Sequence, residues 1–222
     1  HTVRDYLYCA SLLRGENFSA DVMLGIKGQT QEDVRKTIEI AAGSGAKHIS
    51  MYALQPEDGT PIYTDYLNGE LPDGDEVAAL YDFGRDLLAQ KGYHRYEVSN
   101  FCKKGFESRH NLNYWGRGEY VGMGVSASSF FSGRRLLNTT DLDEYMKCIL
   151  SGFYPVIDSE EVSPKDARFE FVMLGLRTVF GVSSKKYEEE FGSDWKQDFS
   201  AAYHRTKKYL EEQGDITPVS YT

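Results

Sequence analysis

The sequence predicts an α/β chain in which a parallel sheet with crossover helices gives way to a mostly helical C-terminal part. Three observations predict it. Short apolar strands alternate with capped helical periods up to Phe101, the links between them are short, and beyond that point strand signals thin out while helical periods continue. Three strands cannot close a barrel, so the sheet is expected to be part of something larger.

The elements follow in order. "HTVRDYLYCASLLRGEN" sets Val3, Leu7, Ala10 and Leu13 on one helical face, with Thr2 as N-cap. The chain opens without Met inside this period and breaks off in a last strand, "DITPVSYT", so it is expected to be a fragment that starts partway through a domain. "SADVMLGI" is a first strand, and "TQEDVRKTIEIAAGSG" a helix capped by Thr30 with Asp33 three residues on. "KHISMYALQ" is a second strand. "DGDEVAALYDFGRDLLAQKG" is a helix that buries Val77, Leu80, Tyr81, Leu87 and Leu88, and "YHRYEVSNF" is a third strand, parallel to the others. Ligands in such sheets sit at the C-terminal strand ends, here Gly25 to Gln29, Leu54 to Gly59 and Glu97 to Phe101.

After Phe101 the run "SRHNLNYWGRGEYVGMGVSASSFF" reads as short strands and loops. "TTDLDEYMKCILSG" is a helix capped by Thr140 and ended by Gly152, and "YPVIDSEE" is a connector. Ser163 and Pro164 start a helix that Gly181 stops. "SSKKYEEEFG" and "SDWKQDFSAAYHRTKKYLEEQG" are two more. The expected organisation is therefore 1–101, the sheet with its helices; 102–155, a β/loop extension with a helix; and 156–222, a helical domain.

Composition narrows the classes. With 222 residues and 41% hydrophobic content there is material for a real core. A net charge of −9 argues against non-specific binding to nucleic acid or anionic membrane. No apolar run has the length of a transmembrane segment. Cys9, Cys102 and Cys148 are scattered, with no pair at metal-ligand or redox spacing, which suits reduced thiols in a cytoplasmic protein.

The run from Ser108 to Phe131 gathers a His, two Asn and a Trp, each costly if buried without a partner. It reads as the lining of a pocket. Gly122 and Gly124 alternate with Val121, Met123 and Val125 as a close-packed strand requires, without the spacing of a phosphate loop.

The ordered motifs "DVMLGIKGQT", "HISMYALQPEDGTPIY", "LPDGDEVAALYDF", "GYHRYEVSNF", "SRHNLNYW" and "YVGMGVSASSF" resemble the radical S-adenosylmethionine (radical SAM) proteins related to oxygen-independent coproporphyrinogen III oxidase. His110, Asn111, Tyr114 and Trp115 match the His-Asn-x-x-Tyr-Trp signature of its heme-chaperone branch. The resemblance is strong from Asp21 to about Leu150 and weaker beyond. It implies the later part of a partial (β/α) radical-SAM barrel with a mostly helical C-terminal domain. It also implies S-adenosyl-L-methionine and a [4Fe-4S] cluster as cofactors. The cluster's three-cysteine loop fits none of the cysteines here, so its ligands are expected outside this chain.

Site residues follow from the same resemblance. Asp21 matches a carboxylate that contacts S-adenosylmethionine; read alone, an Asp among apolar residues must be paired or face a cavity. Gln55 and Ser128 lie at positions that touch the cofactor in relatives. "GIKGQT" departs from Gly-Leu-Pro-Gly-Gln-Thr by Lys27 for Pro, and its glycines read as a tight turn. Glu97, Ser99 and Asn100 end the third strand where a substrate should lie, or Glu97 pairs with a buried Arg. His110 is a heme-iron ligand or a hydrogen-bonded scaffold residue. Tyr114 and Trp115 would face the porphyrin, and Arg109 would pair with a propionate.

The resemblance thus implies a heme chaperone that binds heme or another porphyrin and passes it to a heme-acceptor protein. The alternative is coproporphyrinogen III oxidase, an oxidoreductase that decarboxylates two propionates. A nucleic-acid-binding tail, suggested by Lys196, His204, Arg205, Lys207 and Lys208, is opposed by Glu188 to Glu190, Glu211 and Glu212.

Overall fold

The computed structural model describes residues 3–13 and 15–213. Thr2 and the expected strand at 215–222 lie outside the described residues. The chain divides into two compact units, His1–Leu112 and Asn113–Thr222.

The first unit begins with α1 (Val3–Leu12), of which only Ala10 is buried. β1 (Ser19–Leu24) alternates strictly, burying Ala20, Val22 and Leu24 and turning Ser19, Asp21 and Met23 to the other face. α2 (Gln31–Gly43) starts in a complete capping box between Thr30 and Asp33. β2 (His48–Ala53) pairs parallel with β1, Ser19 opposite His48 and Asp21 opposite Ser50. A short helix absent from the sequence reading, α3 (Pro61–Leu67), follows. α4 (Gly74–Gln90) has a second capping box, between Asp73 and Glu76. Val34 and Ile38 of α2, Leu80, Leu87 and Leu88 of α4, and the buried face of β1 and β2 form one core. Gly84 lets α4 lie close on the sheet: a Cβ there would fall 2.6 Å from Met51 Sδ.

The third expected strand differs from its prediction. It splits into β3 (His94–Arg95) and β4 (Asn100–Cys102), with the chain reversing between them. Glu97 accepts a hydrogen bond from the Ser99 amide at 3.2 Å inside the reversal, and the Tyr96 amide donates to the Asn100 carbonyl at 3.1 Å. β4 therefore runs antiparallel to both β2 and β3, and the sheet order is β1-β2-β4-β3. Among the described residues only the β1–β2 pairing is parallel.

The run read as strands and loops opens with a helix, α5 (Arg109–Trp115), which crosses from the first unit into the second. In the second unit β5 (Ser128–Phe131), β6 (Arg134–Asn138) and β7 (Val156–Glu161) form an antiparallel sheet. The supposed connector "YPVIDSEE" is thus mostly strand. β7 is exposed at every position, so no apolar alternation announced it. α6 (Leu142–Leu150) lies between β6 and β7 in sequence; its N-cap is Asp141, one residue beyond the predicted Thr140.

α7 (Pro164–Gly175) starts at the Ser163 cap, as expected, but ends six residues before Gly181. α8 (Ser184–Phe191) follows as predicted, whereas the last helix is broken into α9 (Trp195–Asp198) and α10 (Ser200–Gln213). Phe171 meets Tyr187 and Phe191 edge to face, Tyr187 and Phe191 pack tilted, and the buried Tyr187 hydroxyl donates to Asp198 at 2.8 Å. Among the described residues no helix is long and apolar enough to cross a membrane.

Candidate functional site

The face of the first sheet opposite its core is polar, because strand alternation sends every second side chain there. Register aligns two rows on it. One runs Ser19–His48–Cys102–His94, the other Asp21–Ser50–Asn100.

The first row is tied to α5. Ser19 Oγ meets His48 Nδ1 at 2.8 Å, and His48 Nε2 meets the Tyr96 hydroxyl at 2.8 Å. That hydroxyl also accepts from the Ser108 amide at 3.3 Å and from Asn111 Nδ2 at 3.4 Å. Burial holds His48 below the usual imidazole range, against the pull of the Asp21 carboxylate. Burial likewise pushes the Tyr96 hydroxyl up, opposed by its Ser108 and Asn111 hydrogen bonds.

In the second row Asp21 is exposed rather than enclosed among apolar residues. Asn100 Oδ1, two strands away, is buried without a hydrogen-bond partner. A buried acceptor of this kind costs free energy unless something donates to it. The row therefore suits a ligand with hydroxyl or amine donors. Gln55, exposed, follows β2 by two residues. The "GIKGQT" turn is held by Gln29, whose side chain accepts from the Gly25 amide at 2.9 Å and donates to the Met23 carbonyl at 3.0 Å. Gly25 has φ +85°, which requires glycine there. Lys27 pairs with Asp65 and Glu70. Glu97 is buried and, among the described residues, has no ion pair with an Arg.

On α5 Arg109 and His110 are exposed, as is Tyr114 one turn beyond His110. Asn113 Nδ2 donates to the Glu119 carbonyl at 3.0 Å. Trp115 is partly buried, with the Arg177 guanidinium 5.2 Å from its ring, and its Nε1 has no hydrogen-bond partner. Tyr114 also lines a cavity of about 240 Å³ in the second unit with Arg117, Tyr120, Phe130, Arg135 and Glu170. That is below the roughly 300–1,000 Å³ of enclosed small-molecule sites.

Ser128, exposed, begins β5 in the second unit, whereas Asp21 and Gln55 belong to the first. The glycines before it have a packing role. The Gly122 amide donates to Ser129 Oγ at 2.9 Å, and Asn138 Nδ2 donates to the Gly124 carbonyl at 2.9 Å.

Sequence reasoning missed two clusters. Arg117, whose side chain is only 8% exposed, pairs with Glu170 and Glu190 and lies over Phe130 and Phe191. His94, Cys102 and Glu107 converge at the edge of the first sheet. The alternating polar residues of "HISMYA" were a signal for the His48 row; the other partners are too far apart in sequence to be paired by spacing.

The HemN C-terminal domain family matches residues 162–216. The heme chaperone HemW of Bacillus subtilis is 36% identical over 203 residues, covering 90% of this chain and 52% of that protein. HemW of Lactococcus lactis is 36% identical over 178 residues, 79% of this chain and 46% of its own. The solved structure of Escherichia coli coproporphyrinogen III oxidase, described as a radical SAM enzyme, superposes with a TM-score of 0.73 at 16% identity. It covers 100% of this chain and 54% of its own, a likeness of fold. The chain is thus similar in sequence to the HemW heme chaperones and in fold to coproporphyrinogen III oxidase. It spans about half the length of the curated relatives it matches.

Proposed function

We propose that this chain is the heme-carrying part of a HemW-like heme chaperone, with heme bound over α5. The observation that carries this reading is the joint exposure of Arg109, His110 and Tyr114 on one short helix. An accessible imidazole can ligate heme iron, Tyr114 and Trp115 offer aromatic surface to the porphyrin, and Arg109 offers a planar cation to a propionate. The identity to HemW over most of the chain supports the same reading. Heme is here the cargo, destined for an acceptor protein.

S-adenosylmethionine is the second expected ligand. Asp21 would accept from its hydroxyls, with Gln55 as a further contact, and the unpartnered Asn100 Oδ1 supports a donor-bearing ligand beside Asp21. The described residues do not fit a [4Fe-4S] cluster, because the single metal-competent group among them holds one cysteine.

The test is His110→Ala in the full-length protein titrated with ferric heme. The Soret band of the complex should shift and affinity should fall at least about tenfold, the equivalent of roughly 1.4 kcal/mol. An unshifted band with retained affinity, whatever the change in thermal stability, would leave α5 as scaffold and overturn the reading.

A further inference from the structure

We propose that His94, Cys102 and Glu107 form a divalent transition-metal site, filled by Zn²⁺ with a water in the fourth position. Nothing in the heme or S-adenosylmethionine reading uses these residues.

The case begins with how the fold brings them together. His94 of β3 stands opposite Cys102 of β4 in the antiparallel register, so both project from the same face. The turn after β4 returns Glu107 to the same point. His94 Nε2 is 2.9 Å from Glu107 Oε1 and 3.5 Å from Cys102 Sγ, and all three ligand atoms lie within 4.8 Å of one another.

The same ring nitrogen faces both partners. This excludes a Cys–His–Glu catalytic relay, which needs one imidazole nitrogen for the nucleophile and the other for the carboxylate. Nor is the thiol activated as a nucleophile would be: burial, reinforced by the Glu107 charge, pushes Cys102 up to about 12. Convergence of a sulfur, a nitrogen and an oxygen on one point is instead what chelation demands.

The spacing agrees. Zn–N bonds of about 2.0–2.1 Å and a Zn–S bond of about 2.3 Å at a tetrahedral angle set nitrogen and sulfur roughly 3.5 Å apart. That matches His94 and Cys102 as they stand. To reach the tetrahedral nitrogen–oxygen edge Glu107 must withdraw from His94 by about half an ångström. Its side chain is 26% exposed and that of His94 44%, which leaves ions a way in.

The surroundings also suit a bound cation. Thiolate and carboxylate together neutralise a divalent charge. Mixed sulfur, nitrogen and oxygen donors favour Zn²⁺ over Mg²⁺ or Ca²⁺, which take oxygen ligands.

The test is a Co²⁺ titration of the metal-free chain, followed by Zn²⁺ competition. One equivalent should bind with a thiolate-to-cobalt charge-transfer band in the near ultraviolet, and Zn²⁺ should abolish the band. Cys102→Ser should eliminate it, while the Cys9→Ser/Cys148→Ser double variant should keep it. His94→Gln and Glu107→Gln change side chains that reach solvent, so they serve if Cys102→Ser does not fold; each should weaken Zn²⁺ binding at least about tenfold. Absence of the band, its persistence in Cys102→Ser, or unchanged affinity in both surface variants would overturn the site.

Discussion

Tyr96 donates its hydroxyl proton to His48. The hydroxyl oxygen already accepts from the Ser108 amide and Asn111 Nδ2, so its own hydrogen is left for the 2.8 Å contact with His48 Nε2. His48 is then neutral, protonated at Nδ1 and donating to Ser19 Oγ at 2.8 Å.

A pH dependence follows. Burial lowers the His48 pKa from 6.5 in the folded chain. Above about pH 6.5 the ring is neutral in both states and contributes no slope. As pH falls below that value the unfolded chain takes up a proton that folded His48 resists, so stability declines until the folded group titrates as well. The melting temperature should therefore fall between about pH 7 and 5, and His48→Gln should flatten part of that fall. Parallel profiles for the two proteins would show that His48 is not linked to folding. Tyr96→Phe, which orphans three polar atoms, should cost about 1–3 kcal/mol near neutral pH.

Arg117 offers a second test. Its Nε lies 3.2 Å from Glu170 and an η-nitrogen 2.6 Å from Glu190, with Glu170 only 14% exposed. Arg117→Met should cost about 2–4 kcal/mol in urea unfolding, somewhat below a fully buried pair because Glu190 is open to solvent. Removing both partners in Arg117→Met/Glu170→Met should cost less than the sum of the two single changes. Strict additivity would mean that the pair is not coupled.

Gly122 predicts an asymmetry within one motif. A Cβ at Gly122 would fall 2.2 Å from the Ser128 carbonyl oxygen, a backbone atom that cannot rotate away. Gly122→Ala should destabilise by at least about 1–3 kcal/mol. Gly124 has open space around it but φ +114°, so Gly124→Ala meets backbone strain without a clash. The first substitution should lower the melting temperature more than the second. The reverse order would mean that the Gly122–Ser128 approach is not a tight one.

Much of the fold was legible because its signals are local. Thr30 with Asp33 wrote a capping box, and the apolar alternation of β1 announced a strand with one buried face. The failures are also local in origin. α5 is only seven residues, five of them His, Asn or aromatic, and tertiary anchoring through Asn111 and Asn113 overrides the weak helical preference of these five. β7 buries nothing, and β3 is two residues long. The resemblance pointed to Asp21 and His110 singly. It could not show that Asp21 shares a row with Ser50 and Asn100, because cross-strand register is written in no contiguous stretch. The same reason hid Cys102 beside His94.

The closeness of α4 to the sheet has a chemical consequence for Met51. Its sulfur lies against Gly84 in a fully buried position, so a sulfoxide oxygen has no room and peroxide has no path. Met123, 88% exposed, has both. Mild oxidant should thus convert Met123 in the native chain, while Met51 reacts only in molecules that have opened. The pair makes a built-in gauge, one methionine clocking the oxidant and the other counting how often the core comes apart.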